Sequence, residues 1–138
     1  MSLLDRFIKP VHAHCDIPCG IYETDTMQHA ADTCLRMIEK IEALEDTDKE
    51  KSDGHNNFIR MVMIKEKHAQ LCKEQIYMLW SDYFKPEHLE KFPDLHDRLW
   101  QAAKQCSKVK QSIARAEAEK LLDMVHDISH LFADSKQA

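Results

Sequence analysis

The stretch "TDTMQHAADTCLRMIEKIEAL", residues 24–44, decides the fold. Its apolar side chains fall at Met27, Ala30, Ala31, Cys34, Met37, Ile38, Ile41 and Leu44. Steps of three and four follow the helical period and put these side chains on one face. Thr24 or Asp25 can supply the N-cap. The next stretch, "EDTDKEKSDG" (45–54), holds no apolar residue and ends in Gly54, so it reads as a solvated loop.

The same period returns three times. A second helix is expected from about Asn56 to Asp82, with Phe58, Met61, Val62, Ala69, Cys72, Ile76, Leu79 and Trp80 inward. Pro86 and Pro93 frame a short connection, "KPEHLEKFP" (85–93). A third helix opens near Asp94 and turns Leu95, Leu99, Ala102, Ala103, Cys106 and Val109 inward. The last carries Ile113, Ala116, Leu121, Val125, Ile128, Leu131 and Phe132. The boundary between these two, in "CSKVKQSIARAEAEK" (106–120), has two serines and no Gly or Pro; a compact domain favours a turn around Ser107–Ser112. The expectation is an all-α chain: an antiparallel four-helix bundle over 23–138, preceded by a segment of another kind.

Composition agrees. Only 2 Gly and 4 Pro in 138 residues favour long helices with few tight turns. A net charge of −5 argues against nucleic acid as a partner, which demands basic surface. No apolar run approaches the roughly 18–20 residues of a membrane span. The first 13 residues, "MSLLDRFIKPVHA", carry Asp5, Arg6 and Lys9 and lack the apolar stretch of a secretory signal, so a cytoplasmic location is expected. In that compartment Cys34, Cys72 and Cys106 read as reduced core thiols.

The remaining two cysteines are close together, in "HCDIPCG" (14–20). Pro18 and Gly20 disfavour a continuing helix, so the segment forms a loop or hook that can turn Cys15 and Cys19 toward one point. Thiolate plus imidazole suits zinc, copper or nickel rather than magnesium or calcium. Zinc fits poorly, since a structural zinc site needs four closed ligands and this motif offers one CxxxC pair. If the chain is cut between Ala13 and His14, His14 offers a free amine and an imidazole. Cys15 then adds a thiolate and, if deprotonated, its backbone nitrogen, and Cys19 a second thiolate. Square-planar or tetragonal nitrogen–sulfur coordination points to Ni(II) or Cu(II).

"HCDIPCGIY" (14–22) resembles the nickel-binding hook of the nickel superoxide dismutases. The resemblance continues in "IRMVMIKEKHAQL" (59–71) and "LWSDYFKPEHLEKFPDLH" (79–96), and covers essentially everything after Ala13. It implies a four-helix bundle assembled as a homohexamer. It also implies a pro-segment over residues 1–13 that a maturation protease removes after Ala13, and a nickel hook over 14–22. The activity implied is conversion of two superoxide anions and two protons to oxygen and hydrogen peroxide, with one nickel ion per subunit cycling between Ni(II) and Ni(III). A non-enzymatic nickel or copper carrier built on the same chelate is the alternative.

The resemblance assigns His14, Cys15 and Cys19 to the metal. It implies that Tyr22 and Tyr83 line the approach, that Lys85 attracts the anion and helps supply protons, and that Asp16 orders the hook. Losing residues 1–13 removes two positive charges and one negative, taking the formal charge from −5 to −6. Steering of an anion must therefore be local, from Lys85 and Lys65. One departure stands out. The positions matching the family's carboxylate and arginine around the axial imidazole are Ala30 and His68, leaving His68 or Glu66 as candidates to orient His14.

Overall fold

The computed structural model describes residues 21–137; the segment 1–13 and the hook residues His14, Cys15, Asp16 and Cys19 lie outside them. The helices are α1 (Asp25–Glu42), α2 (Asp46–Glu50), α3 (Ser52–Met78), α4 (His88–Lys91), α5 (Leu95–Gln111) and α6 (Arg115–Ser135), and a π-helical turn, Leu79–Tyr83, ends α3. The four long ones close a ring in which α1 packs on α3 and α6, and α5 packs on the same two. Cross-links fix the directions. Thr24 meets Ser129 and Glu42 meets Arg115, so α1 and α6 run antiparallel. Lys73 meets Ser107, and Gln105 meets Glu117, so α5 opposes both of its neighbours.

The apolar stripes form one core. Met27, Ala31, Cys34 and Ile38 of α1 pack with Ala69, Cys72 and Ile76 of α3, Leu95, Leu99, Cys106 and Val109 of α5, and Leu121, Val125 and Ile128 of α6. Each fully buried Leu, Ile or Val contributes about 1.5–3 kcal/mol over its exposed state. Cys34, Cys72 and Cys106 are buried free thiols, as the sequence implies. Burial pushes the Cys34 thiol up to about 12, with Cys106 adding to the shift and Lys65 opposing it. A hydrogen bond with Cys106 and burial push Cys72 up as well.

Several expectations are corrected. The charged stretch 45–54 contains α2, and α3 already begins at Ser52. Gly54 sits inside α3 rather than ending a loop: a Cβ there would run into the Asp48 carbonyl oxygen, so glycine allows α2 and α3 to touch. The connection 85–93 contains the single turn α4. Helix α5 continues through the predicted turn to Gln111, and the break falls at Ser112–Ala114, with Ser112 and Ala114 extended. Ile113 and Ala116 face outward, and Trp80 is half exposed, with its indole N–H donated to His96.

Lys65 explains the break. Far from steering anions at the surface, it is buried, 1% exposed, and its Nζ donates to the carbonyls of Val109 at 2.6 Å and Lys110 at 2.7 Å. These are carbonyls of the last turn of α5, whose intrahelical partners end with the helix. An ammonium there also meets the negative end of the helix dipole. Nearby, Lys110 Nζ donates to Gln70 and lies 3.8 Å from Glu66. Burial lowers the pKa of Lys65, while Glu66 and, after it, the neighbouring Cys34 oppose that.

At the other end, α1 starts with a divided cap. The Thr24 hydroxyl is engaged with Ser129, 2.8 Å away, and Gln28 Nε2 donates to both hydroxyls. Glu23 takes over the capping task, with Oε2 accepting the Thr26 N–H at 2.9 Å. Burial alone would raise the Glu23 carboxyl; hydrogen bonds from Thr26 and the Asp25 backbone, helped by His29, outweigh it and hold the carboxyl below its ordinary 4.5.

Two measurements check these interactions. Lys65→Met removes the donor from one buried and one part-buried carbonyl and should cost about 3 kcal/mol. That corresponds to a drop in melting temperature on the order of 10 °C by calorimetry; an unchanged melting temperature would mean the cap does not hold the turn. For Glu23 the folded pKa is the depressed one. Its stabilisation is therefore complete above about 4.5 and is lost as pH falls through the folded value. The melting-temperature gap between wild type and Glu23→Gln should shrink between about pH 5 and pH 3, and a pH-independent gap would contradict the assignment.

Candidate metal centre

Residue 22 is the last of the segment 14–22 expected to form a hook, and its side chain is held from two sides. The Tyr22 ring packs against Tyr83 with centroids 5.2 Å apart at 55°. Its hydroxyl donates to the Asp82 carbonyl at 3.3 Å. The sequence explains why that carbonyl is available. In a continuing helix it would accept from residue 86, which is Pro86 and has no N–H.

The π turn sets the next contacts. Phe84 N–H reaches back five residues to the Leu79 carbonyl at 2.9 Å, and the Ser81 hydroxyl takes the Tyr77 carbonyl at 2.7 Å. The widened turn inserts one residue into the helical period and so rotates the side chains after it. Tyr83 lands among aromatic rings, 4.9 Å from Phe84, 4.7 Å from Phe132 and 5.7 Å from a nearly parallel His88. The Tyr83 hydroxyl lies 2.7 Å from Ser135 Oγ at the end of α6. The start of α1, the end of α3, α4 and the end of α6 thus converge on one tyrosine.

Lys85 comes two residues later and is half buried. Its backbone N–H donates to His88 Nδ1 at 2.9 Å, and its carbonyl accepts the His88 N–H at 2.9 Å. An accepting Nδ1 places the neutral ring's proton on Nε2, a tautomer assigned from this bond. His88 therefore fixes both the backbone of Lys85 and one face of Tyr83. Sequence reasoning misses His88 and Ser135. A signal for His88 is present in "KPEH": a side chain returning to a backbone N–H three residues earlier, ahead of a helical turn, is half of a capping box. Ser135 has no comparable signal, because its partner is 52 residues away.

The structure brings Tyr22, Tyr83 and Lys85 to one end of the bundle. It does not bring His68 there within the chain. His68 lies about three helical turns before the π turn, with Nδ1 2.8 Å from the Ile64 carbonyl. Ala30 is buried, and Glu66 is turned to Lys110. A pocket of about 310 Å³ lined by Ile21, Tyr22, Glu23, Thr26, Met78 and Leu79 opens beside the junction. Among the described residues, no group of three or more His, Cys, Asp or Glu side chains could hold a metal ion, and no helix is long and apolar enough to cross a membrane.

Comparison with known proteins gives these parts a common origin. Residues 9–136 match the family model of nickel-containing superoxide dismutase. The chain is 37% identical to the nickel superoxide dismutase of Streptomyces seoulensis and 35% identical to that of Streptomyces coelicolor, in each case over 99% of this chain and the whole of the relative. It superimposes with a TM-score of 0.80 on a nickel-containing superoxide dismutase whose nickel ligation corresponds to the oxidised state, at 37% identity over 91% of this chain and all of that one. A native nickel superoxide dismutase structure matches equally well, at 35% identity. The chain belongs to the nickel-containing superoxide dismutase family, and it is a nickel-dependent oxidoreductase that dismutes superoxide.

Proposed function

We propose that the nickel site of this dismutase is built by residues 14–22 after removal of residues 1–13, and is seated by Tyr22 against the π-turn end of the bundle. The observation that carries this reading is the docking of Tyr22 on Tyr83 and the Asp82 carbonyl, three residues after Cys19. The chemistry of the donors fits nickel. Of five cysteines, Cys34, Cys72 and Cys106 are buried in the core, which leaves the thiols of Cys15 and Cys19. With the His14 amine and imidazole and the Cys15 backbone nitrogen, they make a mixed nitrogen–sulfur set suited to nickel. Chain length is consistent with the processing step: residues 14–138 make up 91% of this chain, and a match that takes in 91% of it covers a solved relative completely.

Bound there, nickel supplies one-electron chemistry between Ni(II) and Ni(III), its potential lowered by the sulfur donors. The chain's own residues do the rest. Asp16 orders the hook. Tyr22 and Tyr83 line the approach and exclude bulky solutes, with their rings braced by Phe84, His88 and Phe132. Lys85, held by His88, puts a positive charge near a chain that is otherwise net negative, and so draws in the superoxide anion. The working enzyme is a cytoplasmic homohexamer matured by a protease that cuts after Ala13.

The test is to prepare the chain starting at His14 and the chain starting at Met1, load each with nickel, and measure superoxide decay. The His14 chain should turn over rapidly and the longer chain should not. Cys15→Ser and Cys19→Ser should each lower turnover at least about 100-fold, the upper end of what outer-shell partners alone command. Tight nickel binding without turnover in the His14 chain would support the carrier instead.

A further inference from the structure

The last turn of α6 carries a hydroxyl with no role in the proposed function. Ser135 is buried, 5% exposed. Its Oγ lies 2.6 Å from the Phe132 carbonyl oxygen and 2.7 Å from the Tyr83 hydroxyl oxygen. A serine hydroxyl has one proton, so it can donate to only one of these partners.

The backbone decides which. Phe132 belongs to the terminal turn, where carbonyls run short of partners. The N–H four residues on, that of Lys136, goes to Ala133 instead, at 3.3 Å. The Phe132 carbonyl therefore takes the Ser135 proton, at a distance short even for a hydroxyl donor. Tyr83 must then be the donor in the second bond. The order is Tyr83 O–H to Ser135 O–H to the Phe132 carbonyl, two bonds that polarise each other in the same sense.

We infer that Ser135 is a positioning residue that fixes the polarity of Tyr83: the phenol proton is committed to α6, and Tyr83 offers only lone pairs to its other neighbours. Tyr22 donates more loosely, to the Asp82 carbonyl at 3.3 Å. Resting on the reading that these tyrosines line the approach, the consequence is one of specificity. A phenol that presents only lone pairs can accept from water or neutral hydrogen peroxide, and it gives no hydrogen bond to an anion. Small anions are thereby denied a resting place beside the metal, and attraction of superoxide is left to Lys85.

The probe is azide, a small monoanion, titrated against the nickel-loaded chain beginning at His14 and followed through the nickel absorption spectrum. Ser135→Ala frees the Tyr83 proton to turn toward the anion, and azide should bind about tenfold more tightly. Ser135→Thr keeps a hydroxyl and should return to wild type, and the double variant with Tyr83→Phe should lose the gain. In the metal-free protein, NMR should show the wild-type Tyr83 hydroxyl proton exchanging slowly with water and rapidly in Ser135→Ala. If that proton exchanges in wild type as in free tyrosine, the proposal falls without any variant. It also falls if Ser135→Ala leaves azide affinity within twofold of wild type. If Tyr83→Phe alone changes neither azide affinity nor the KM for superoxide, Tyr83 does not face the approach; the functional reading of Tyr83 then fails, whatever NMR shows of Ser135.

Discussion

The ammonium of Lys65 holds the end of α5, and the arrangement of the site depends on that. No glycine or proline separates α5 from α6. Continued through Ser112–Ala114, the two would form one rod on the order of 60 Å long. Such a rod could not bury the α6 stripe against α1, and Phe132 and Ser135 would sit far from Tyr83. The buried ammonium makes stopping favourable by bonding two carbonyls of the last turn. Ionic burial is costly when a charge has no partner, so Lys65 and the helix end require each other. Closure of the bundle at one end thus sets the composition of the site at the other.

At that far end the logic is again one of carbonyls left without donors. Pro86 deprives Asp82 of its helical partner, and Tyr22 fills the place. The tightened end of α6 deprives Phe132, and Ser135 fills that place. In both cases a backbone group unsatisfied within its own helix draws a hydroxyl, and with it a tyrosine ring, into position. The attachment point of the proposed hook is therefore built from irregular helix ends, where polar backbone is available, while the regular middles supply the apolar core.

This division also explains what can be read from the sequence. The stripes of α1 and α5 are legible because burial obeys a local period: Met27 through Ile41, and Leu95 through Val109, lie on the core face as their spacing requires. Ile113 departs from expectation because it belongs by period to a helix that, at Ser112–Ala114, has not resumed, whereas Ala116 lies on the exposed side of the first turn of α6. Lys65 reads as a surface charge because nothing local marks a lysine whose acceptors lie more than 40 residues away. The proposed hook ligands can be put forward from sequence chemistry alone, since Cys15, Cys19 and His14 are neighbours in sequence. The platform beneath them is only half legible: Tyr22 and Tyr83 by resemblance, His88 by a local capping pattern, and Ser135 not at all.

With the proposed site, the five cysteines fall into two chemical classes, and the activity requires the separation. Metal-binding thiols must ionise readily, and an ionised thiol is the form that peroxide attacks. A dismutase makes peroxide at every cycle, so any thiolate other than those bound to the metal is a liability. The bundle meets this with burial. Cys34 is pushed up to about 12 and Cys72 is raised too, so these two thiols stay protonated and behave as small apolar side chains. The Lys65 ammonium works against that trend on Cys34. Its charge is instead directed along the bonds to Val109 and Lys110, while Cys34 Sγ lies 3.5 Å from the Lys65 carbonyl oxygen, an acceptor that favours the protonated thiol. The same lysine can therefore close the bundle without turning its core cysteine into a second reactive sulfur.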